Sequence, residues 1–272
     1  MKTALVTGAS GGIGQALCTY LEDAGFNVLA HARNEEKANS LVDGQNWQPI
    51  WGDVTRAVEI AAIAKQVKQH GKLDLLVNNA GILTKDTSLG ENGMGPHAEV
   101  NVVAPAKIAH ALVPVMQGTE DPTVLMVSSG MANFARDTDY CKLENPDGSA
   151  LFGQYANSKA AVNTLTMELA KAYPHIRFLS IEPGFVKTKM TDGNPSMPAS
   201  MRLMAKVVGA SPEKAAHTCF DHVLGKDLPS GTITQSGKSI DSSGKKWASD
   251  LAKSTLEKLL AKADAALLPK SG

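Results

Sequence analysis

Short runs rich in Val, Leu and Ile alternate with longer amphipathic stretches along most of this 272-residue chain. The runs predicted as strands are Thr3–Thr7, Asn27–His31, Gln48–Trp51, Leu73–Val77, Thr123–Ser128, Arg177–Ile181 and Thr232–Gln235. The stretches predicted as helices are Ile13–Ala24, Glu35–Val42, Arg56–His70, Glu99–Met116, Gln154–Ala172 and Glu213–Leu224. Strands joined through helices of this length are typical of a parallel sheet covered on both faces. The alternation predicts an α/β fold with one doubly wound sheet of about seven strands, as a single domain over residues 1–272.

Three segments depart from this alternation. Gly130–Gly153 is rich in polar and turn residues and is interpreted as an insertion. Thr188–Ala210 contains four methionines and two prolines and is interpreted as a short helical lid. Its methionines suit either ordinary core filling or an adaptable apolar wall for a substrate. Lys246–Leu268 spaces Leu and Ala at helical intervals, which predicts a terminal helix docked on the domain.

The composition excludes several classes of partner. Lys and Arg number 27 and are balanced by 27 Asp and Glu, so no basic surplus favours nucleic acid or a membrane surface. The cysteines are three in number and far apart in the chain (Cys18, Cys141 and Cys219). That usage favours a reducing compartment, and the first strand has no signal-peptide pattern. We expect a cytoplasmic protein with a small-molecule partner.

A glycine-rich turn follows the first strand and opens the first helix. Its spacing is G-x-x-x-G-x-G, with Gly8, Gly12 and Gly14 as the glycines and Ser10 and Ile13 between them. Backbone N–H groups and the helix dipole at such a turn attract a pyrophosphate, and glycines let the backbone approach it. The turn predicts a dinucleotide site. The alternative is a glycine-rich turn without a ligand.

The end of the second strand indicates which dinucleotide is preferred. Sites that prefer NAD place a carboxylate there for the ribose hydroxyls, whereas this strand ends in Ala32 and Arg33. A guanidinium can pair with a 2′-phosphate through charge-assisted hydrogen bonds. The residue therefore predicts NADP(H) as cofactor, with a solvent-exposed arginine as the alternative. His31, in the same strand, is expected to be an ordinary strand residue.

A Tyr-x-x-x-Lys pair is placed on one helix. Tyr155 and Lys159 are four residues apart, so the phenol and the ammonium share a helix face. A neighbouring cation lowers the pKa of a phenol, and we therefore expect Tyr155 to be a proton donor with a lowered pKa. Ser129 follows the fifth predicted strand, so its hydroxyl is expected at the carboxyl edge of the sheet, where ligands bind. Ser128 is the competing serine.

These motifs together resemble the short-chain dehydrogenase/reductase family over nearly the whole chain. The segment Thr7–Gly14 resembles its glycine turn, Asn78–Gly81 its N-N-A-G strand end, and Pro183, Gly184 and Thr188 its nicotinamide-contacting segment. The resemblance implies a single Rossmann-type domain. It also implies a catalytic set of Asn101, Ser129, Tyr155 and Lys159. The cofactor contacts that it implies, besides the turn residues and Arg33, are Asp53, Val54, Asn79, Ala80, Gly81, Tyr155, Lys159, Pro183, Gly184, Val186 and Thr188.

The resemblance is greatest to the NADP-dependent carbonyl reductases of the family. It implies NADPH-dependent reduction of a small-to-medium, apolar aldehyde or ketone, with Tyr155 donating the proton. The alternatives are an NAD-dependent alcohol dehydrogenase and a catalytically inactive nucleotide-binding regulator. Ser129 and Tyr155 are 26 residues apart, about twice the common family spacing. The extra residues are expected near the mouth of the active site, and they leave homo-oligomer and monomer equally open.

A run of ligand-type side chains near the C-terminal third is judged not to be a metal site. His217, Cys219 and His222 fall on one predicted helix. The positions three and four apart on a helix share a face, so His217 faces Asp221 and Cys219 faces His222. Because the three do not converge, no metal is predicted.

Overall fold

In the part of the chain that the structure describes, eight strands form one sheet, and seven of them are parallel. The computed structural model describes residues 1–136, 138–146, 151–221, 223–224, 228–235 and 237–265. The strands are β1 (Thr3–Val6), β2 (Asn27–Ala32), β3 (Gln48–Trp51), β4 (Leu75–Asn78), β5 (Thr123–Val127), β6 (Arg177–Glu182), β7 (Thr232–Gln235) and β8 (Lys238–Ser239). Their order is β3-β2-β1-β4-β5-β6-β7-β8. The predicted α/β fold with a doubly wound parallel sheet is confirmed.

The eighth strand was not predicted. It consists of Lys238 and Ser239 and pairs antiparallel with β7. Two exposed polar residues carry no hydrophobic alternation, so no periodic signal marks them in the sequence.

Helices connect the parallel strands along the chain. They are α1 (Gly12–Asp23), α2 (Glu35–Val42), α3 (Ala57–Gln69), α4 (Pro96–Ala98), α5 (Ala104–Met116), α6 (Leu151–Ala172), α7 (Ala199–Val208), α8 (Pro212–Phe220) and α9 (Asp250–Lys262). Among the helices that the structure describes, none is long and apolar enough to cross a membrane.

The long helix predicted over Glu99–Met116 is interrupted. A π-helical turn occupies Glu99–Val103 between α4 and α5. Pro105 lacks the N–H that an α-helix would direct to the carbonyl of Asn101. Proline and π-helical turns are two ordinary sources of such breaks, and this break falls at a predicted site residue.

Two apolar layers enclose the sheet. On one face α3, α5, α6 and α9 pack through a cluster that includes Leu256 and Leu259. On the other face α1 and α8 pack through a cluster that includes Leu17 and Phe220. Both faces of β5 are buried, as expected for a central parallel strand. The loops at the carboxyl ends of the strands are thereby left to form the site.

The strand order reverses at β1. The chain moves outward from β1 to β2 and β3, and then returns across β1 to β4. In open α/β sheets, ligands bind in the crevice beyond the carboxyl ends at such a reversal. The glycine turn follows β1, and the segment Asn79–Gly81 follows β4, so the topology brings both to this crevice.

Candidate active site

Two adjoining cavities lie beyond the carboxyl ends of the strands. The first, which we call the glycine-turn cavity, has a volume of about 340 Å³. The second, which we call the Tyr155 cavity, has a volume of about 170 Å³. They share Ile13, Asn79, Gly81, Thr188 and Met190 as lining residues. A molecule that fills one can therefore reach into the other.

The predicted cofactor and catalytic residues divide between these cavities. Those that line the glycine-turn cavity are Gly8, Ser10, Gly12, Ile13, Gly14, Arg33, Asp53, Val54, Asn79, Ala80, Gly81 and Thr188. Those that line the Tyr155 cavity include Ser129, Tyr155, Lys159, Pro183, Gly184, Val186 and Thr188. Asn101 lies behind both, buried in the π-helical turn.

The glycine turn is held by hydrogen bonds between the residues that follow β1 and those that follow β4. The hydroxyl of Thr7 accepts from the N–H groups of Asn79, at 3.0 Å, and Ala80, at 3.1 Å. The amide of Asn79 donates to the carbonyls of Thr7, at 2.9 Å, and Gly8, at 3.2 Å. Thr7 was part of the sequence motif but was not predicted as a site residue. Its role is to fix the turn rather than to line the cavity.

Close packing explains why glycine stands at position 14. A Cβ there would lie 2.4 Å from the carbonyl oxygen of Gly8 and 2.9 Å from Cα of Ala9. Helix α1 begins at Gly12, and its first turn, which includes Gly14, carries no acidic residue. Its free N–H groups therefore face the glycine-turn cavity without a competing anion.

Arg33 is paired with Asp53 in the lining of the glycine-turn cavity. Nε and Nη2 of Arg33 are each 2.8 Å from Oδ2 of Asp53. The other carboxylate oxygen, Oδ1, accepts from the N–H of Thr55 at 2.9 Å and from its hydroxyl at 2.7 Å. Partial burial acts to raise the pKa of Asp53, but the bonds from Thr55 and Arg33 outweigh it and the pKa is lowered. The side chain of Arg33 stays 70% exposed, so its remaining N–H groups are accessible.

His31 is not an ordinary strand residue. Its ring is buried in the lining of the glycine-turn cavity. Nδ1 accepts from the N–H of Gly8 at 3.2 Å, and Nε2 is 2.9 Å from the carbonyl oxygen of Gly52. Burial lowers the pKa of His31, which favours the neutral ring. The expectation failed because both partners are backbone groups, which leave no mark in the sequence.

The two candidate serines have different surroundings. Ser128 is buried, and its hydroxyl donates to the backbone carbonyl of Lys159 at 3.3 Å. Ser129 precedes a 3₁₀ turn over Gly130–Phe134, and its hydroxyl accepts from the N–H of Met131 at 3.2 Å. It also shares a hydrogen bond with the phenol of Tyr155. These contacts favour Ser129 as the serine that meets a substrate.

Tyr155 and Lys159 lie on the same face of α6, as predicted from their spacing. Nζ of Lys159 is 5.7 Å from the centroid of the phenol ring. The ammonium donates to the backbone carbonyl of Val127 at 2.9 Å. Burial lowers the pKa of Lys159 to about 8. The cation is therefore directed at a backbone group rather than at the phenol oxygen.

The predicted lowering of the Tyr155 pKa is wrong for this structure. Burial raises it to about 12, and the hydrogen bond with Ser129 offsets only part of that rise. Desolvation disfavours the phenolate, and the effect of a cation depends on its distance and direction. The phenol is consequently held in its protonated form.

Asn101 supports the site from behind. Its Oδ1 accepts from the N–H of Ile82 at 2.8 Å, and its Nδ2 donates to the carbonyl of Ile82 at 3.0 Å. Nδ2 also donates to the hydroxyl of Ser158 at 3.0 Å. A Cβ on Gly81 would lie 3.3 Å from Oδ1 of Asn101 and 3.5 Å from Nζ of Lys159. Asn101 thus fixes the loop that separates it from the cavities.

His97 lies beside Tyr155 and, like the surroundings of His31, was not identified from the sequence. The rings of His97 and Tyr155 meet edge to face, with centroids 6.3 Å apart. Burial and the positive charge of Lys159 lower the pKa of His97 to about 4. The ring is therefore neutral at physiological pH. No motif flags it, because its proximity arises from the packing of α4 against α6.

Apolar side chains form the wall of the Tyr155 cavity. The residues that contribute it include Leu83, Met131, Phe152, Phe185, Met190, Met197 and Met201. Three of these methionines belong to the predicted lid, whose described helix is α7. The amide of Asn194 donates to the carbonyl of Leu83 at 2.7 Å and ties the lid to the loop after β4. Three of the four lid methionines therefore form part of the cavity wall, whereas Met204 is exposed.

The insertion lies only in part near this cavity. Met131 and Phe152, at its two ends, line the Tyr155 cavity. Its middle, the 3₁₀ turn Tyr140–Leu143, packs between α6 and α9 instead. Tyr140 is buried, and its hydroxyl lies 2.9 Å from that of Thr164 on α6. The expectation that the extra residues cluster at the mouth is corrected, because Tyr140 and Leu143 bury apolar surface elsewhere. Residues 137 and 147–150 lie outside the described part.

The ligand-type residues of α8 do not form a cluster in the described residues. Nδ1 of His217 is 3.4 Å from Asp221 Oδ2, as the helical spacing predicted. Cys219 is buried, and burial raises its pKa to about 12. His222 lies outside the described residues. Within the described ranges no three His, Cys, Asp or Glu side chains are grouped as a metal site would require.

The sheet is doubly wound, a glycine turn lies at its reversal, and Ser, Tyr and Lys side chains lie beside that turn. This arrangement is typical of dinucleotide-dependent oxidoreductases. A family profile described as short chain dehydrogenase matches residues 2–199. The chain belongs to the short-chain dehydrogenase/reductase family.

Individual relatives agree with this assignment. The chain is 31% identical over 223 residues to oxidoreductase UcpA of Salmonella typhimurium, covering 76% of this chain and 80% of the relative. It is 26% identical over 249 residues to (+)-neomenthol dehydrogenase of Arabidopsis thaliana, covering 70% and 84%. Among solved structures, an alcohol dehydrogenase of Thermococcus sibiricus complexed with 5-hydroxy-NADP is 26% identical. It superposes with a TM-score of 0.59 over 80% of this chain and 88% of that one.

Proposed function

We propose that this oxidoreductase uses NADPH to reduce a small-to-medium, apolar aldehyde or ketone to the alcohol. The observation that carries the proposal is the meeting of Ser129 and Tyr155 with an apolar cavity that opens onto the glycine-turn cavity. The shared wall brings a dinucleotide within reach of a carbonyl held at the phenol. The (+)-neomenthol dehydrogenase relative carries the name of an apolar alcohol, in keeping with such a substrate.

The residues of the glycine-turn cavity fit a dinucleotide. The open N-terminus of α1 offers N–H groups to a pyrophosphate, and Gly14 keeps that helix close to the strand. Val54 and Asp53 border the end of the cavity where an adenine ring would lie. When bound, the nicotinamide supplies the hydride, and placement and electrostatics are left to the protein.

Arg33 supports NADP(H) over NAD(H). Asp53 holds the guanidinium at the cavity edge by two contacts to Oδ2. A guanidinium has five N–H donors, so donors remain for a 2′-phosphate while Asp53 is bound. The carboxylate of Asp53 is itself occupied by Thr55 and Arg33. That leaves it poorly placed to bind ribose hydroxyls as an NAD-specific acid does.

The chemistry of the protein's own groups follows from their protonation states. The hydroxyls of Ser129 and Tyr155 would bind the carbonyl oxygen of the substrate. Tyr155, whose pKa is raised, holds its proton until negative charge develops on that oxygen and then transfers it. The oxygen becomes the hydroxyl of the product, and the phenolate regains a proton from solvent. Lys159, whose Nζ lies 5.7 Å from the centroid of the phenol ring, would stabilise that charge.

A cofactor comparison tests the proposal. Turnover of a panel of apolar aldehydes and ketones is measured with NADPH and with NADH. We expect NADPH to be preferred, and Arg33→Ala to lower that preference by about tenfold or more, since a charge-assisted bond contributes about 1.5–3 kcal/mol. Arg56→Ala is the matched control, because Arg56 is an exposed arginine paired with Glu59. A strong preference for NADH would overturn the Arg33 argument and favour an NAD-dependent alcohol dehydrogenase.

A second measurement separates an enzyme from a nucleotide-binding regulator. Tyr155→Phe removes only the hydroxyl that donates the proton. We expect kcat to fall by about 10²–10⁴-fold, with the Kd of NADPH changed less than about threefold. Unchanged turnover in Tyr155→Phe, or no turnover of any carbonyl by a wild-type protein that binds NADPH, would contradict the catalytic role.

A further inference from the structure

The imidazole of His31 connects the two ends of the glycine-turn cavity. It stands on β2, between the turn after β1 and the end of β3, and is 2% exposed. On one side it meets the N–H of Gly8, the first glycine of the turn, and on the other the carbonyl of Gly52, next to Asp53. The pyrophosphate end and the adenine end of the cavity thus share one buried side chain.

Only one form of the ring satisfies both contacts. A backbone N–H can only donate and a carbonyl can only accept, so Nδ1 must be unprotonated and Nε2 must carry the proton. The charged ring has two donors and would leave the N–H of Gly8 facing another N–H. Burial favours the neutral ring, while the carboxylate of Asp53, itself paired with Arg33, acts in the opposite sense.

Gly8 is the residue through which this contact reaches the turn. Its φ is +64°, and a Cβ there would lie 2.9 Å from Cα of Ala80. The position therefore excludes a side chain of its own, and only the peptide groups of Gly8 can restrain it. Its carbonyl accepts from Asn79 and from the N–H of Gly11. Its N–H is fixed by His31. Both peptide groups of Gly8 are therefore restrained, which sets the direction of the turn that follows.

We propose that neutral His31 is a positioning residue for the cofactor, which fixes the glycine turn through Gly8 and aligns it with the Gly52–Asp53 end of the cavity. The proposal rests on the proposed function, in which this cavity holds NADP(H). His31 touches no reacting atom, since it lines the glycine-turn cavity and not the Tyr155 cavity. Its loss should weaken cofactor binding and leave the chemical step alone.

Two substitutions separate the hydrogen bonds from simple packing. His31→Leu fills the space without either bond. His31→Gln offers a carbonyl oxygen to the N–H of Gly8 and an N–H to the carbonyl of Gly52, in place of Nδ1 and Nε2. We expect the Kd and KM of NADPH to rise about tenfold or more in His31→Leu. In His31→Gln they should stay within about threefold of the wild type, and kcat at saturating NADPH should change less than about threefold in both.

His70→Leu is the matched control, because His70 is an exposed histidine at the C-terminal end of α3. Circular dichroism and thermal unfolding establish that each variant is folded before binding is measured. Wild-type NADPH binding is measured first, and its failure would count against the proposed function. The His31 proposal is overturned if the wild type binds and His31→Leu binds equally well, or if His31→Gln is as weak as His31→Leu.

A measurement on the wild-type protein keeps the proposal testable if His31→Leu does not fold. Nitrogen NMR of the histidine rings distinguishes a protonated ring nitrogen from one that accepts a hydrogen bond. We expect the His31 ring to be neutral, with the proton on Nε2 and Nδ1 as acceptor. A charged ring, or a proton on Nδ1, at neutral pH would overturn the proposal.

Discussion

The glycine-turn cavity and the Tyr155 cavity adjoin each other but are held by different kinds of contact. The first is fixed by hydrogen bonds between backbone groups and the side chains of Thr7 and His31, which accept, and Asn79, which donates. The second is walled by methionine, leucine and phenylalanine side chains, many of them on α7 and the loops beside it. Hydrogen bonds specify direction and distance closely, whereas methionine packs adaptably around varied shapes.

This difference matches what each cavity has to recognise. A dinucleotide presents the same phosphates and ribose in every turnover, so a rigid backbone cradle suits it. An apolar substrate offers few hydrogen-bonding groups, and its fit depends on the shape of the wall. We therefore expect substitutions in the first cavity to change cofactor affinity sharply, and substitutions in the second to change substrate preference moderately.

The largest effect on NADPH affinity is expected at Gly14, the tightest backbone contact of the glycine turn. Gly14→Ala puts a Cβ about 2.4 Å from the carbonyl oxygen of Gly8, so backbone must move and the turn is distorted. We expect NADPH affinity to fall about 100-fold or more, which corresponds to about 2.7 kcal/mol. Direct NADPH binding, with thermal unfolding measured in parallel, checks this.

Gly11→Ala is the control in the same turn. A Cβ at position 11 meets only the carbonyl oxygen of Gly8, at 3.5 Å, and φ is −87°, a value ordinary for any residue. Its affinity for NADPH should stay within about threefold of the wild type. If the two alanine variants bind NADPH equally, close backbone packing is not what specifies this cavity.

A smaller effect is expected in the wall of the Tyr155 cavity. Met197 is 4% exposed and lines the cavity, so Met197→Ala removes contacts with a bound apolar group. We expect kcat/KM for small apolar ketones to fall about tenfold, as lost methylene contacts usually produce. The Kd of NADPH should be unchanged.

Met204→Ala provides the comparison, because Met204 belongs to α7 but is 46% exposed and outside both cavities. It should leave substrate preference as it is. The proposed division of labour between the cavities would have to be abandoned if Met197→Ala changed NADPH affinity more than it changed kcat/KM.

The smallest effect, in the protein without cofactor, concerns the protonation of Tyr155. Its pKa is raised to about 12 by burial. A raised pKa in an acid means that the neutral form persists to higher pH, so the phenolate should not form at about pH 10, the ordinary pKa of tyrosine. Titration of the near-ultraviolet phenolate absorbance, as wild type minus Tyr155→Phe, measures this residue alone. Phenolate that appears well below pH 10 would show that Lys159 outweighs desolvation.

The features that the sequence alone predicted are those that depend on residues close together in the chain. The strands around Gly8 and Asn79, the glycine turn, and the spacing of Tyr155 and Lys159 are all properties of short segments. Each depends on a fixed helical or strand geometry. The predicted residues of these segments line the two cavities for that reason. Seven of the eight strands found in the described residues were predicted, and the missing one is two residues long.

What was missed depends on contacts between distant segments. His31 and His97 gain their surroundings from backbone or side chains far along the chain. The wrong sign for the Tyr155 pKa has the same origin, because burial is a property of the assembled site. The insertion was expected at the cavity mouth, but Tyr140 packs between α6 and α9.

The sequence by itself determined the parallel sheet, the glycine turn and the types of residue that line the two cavities. Hydrophobic periodicity and glycine spacing specify these because they act through local backbone geometry. Only the tertiary structure decided that Asp53 holds Arg33, that His31 is neutral and bonded at both nitrogens, and that the phenol of Tyr155 keeps its proton. Hydrogen-bond partners and desolvation depend on which distant groups the fold brings together, and that is decided only when the chain packs.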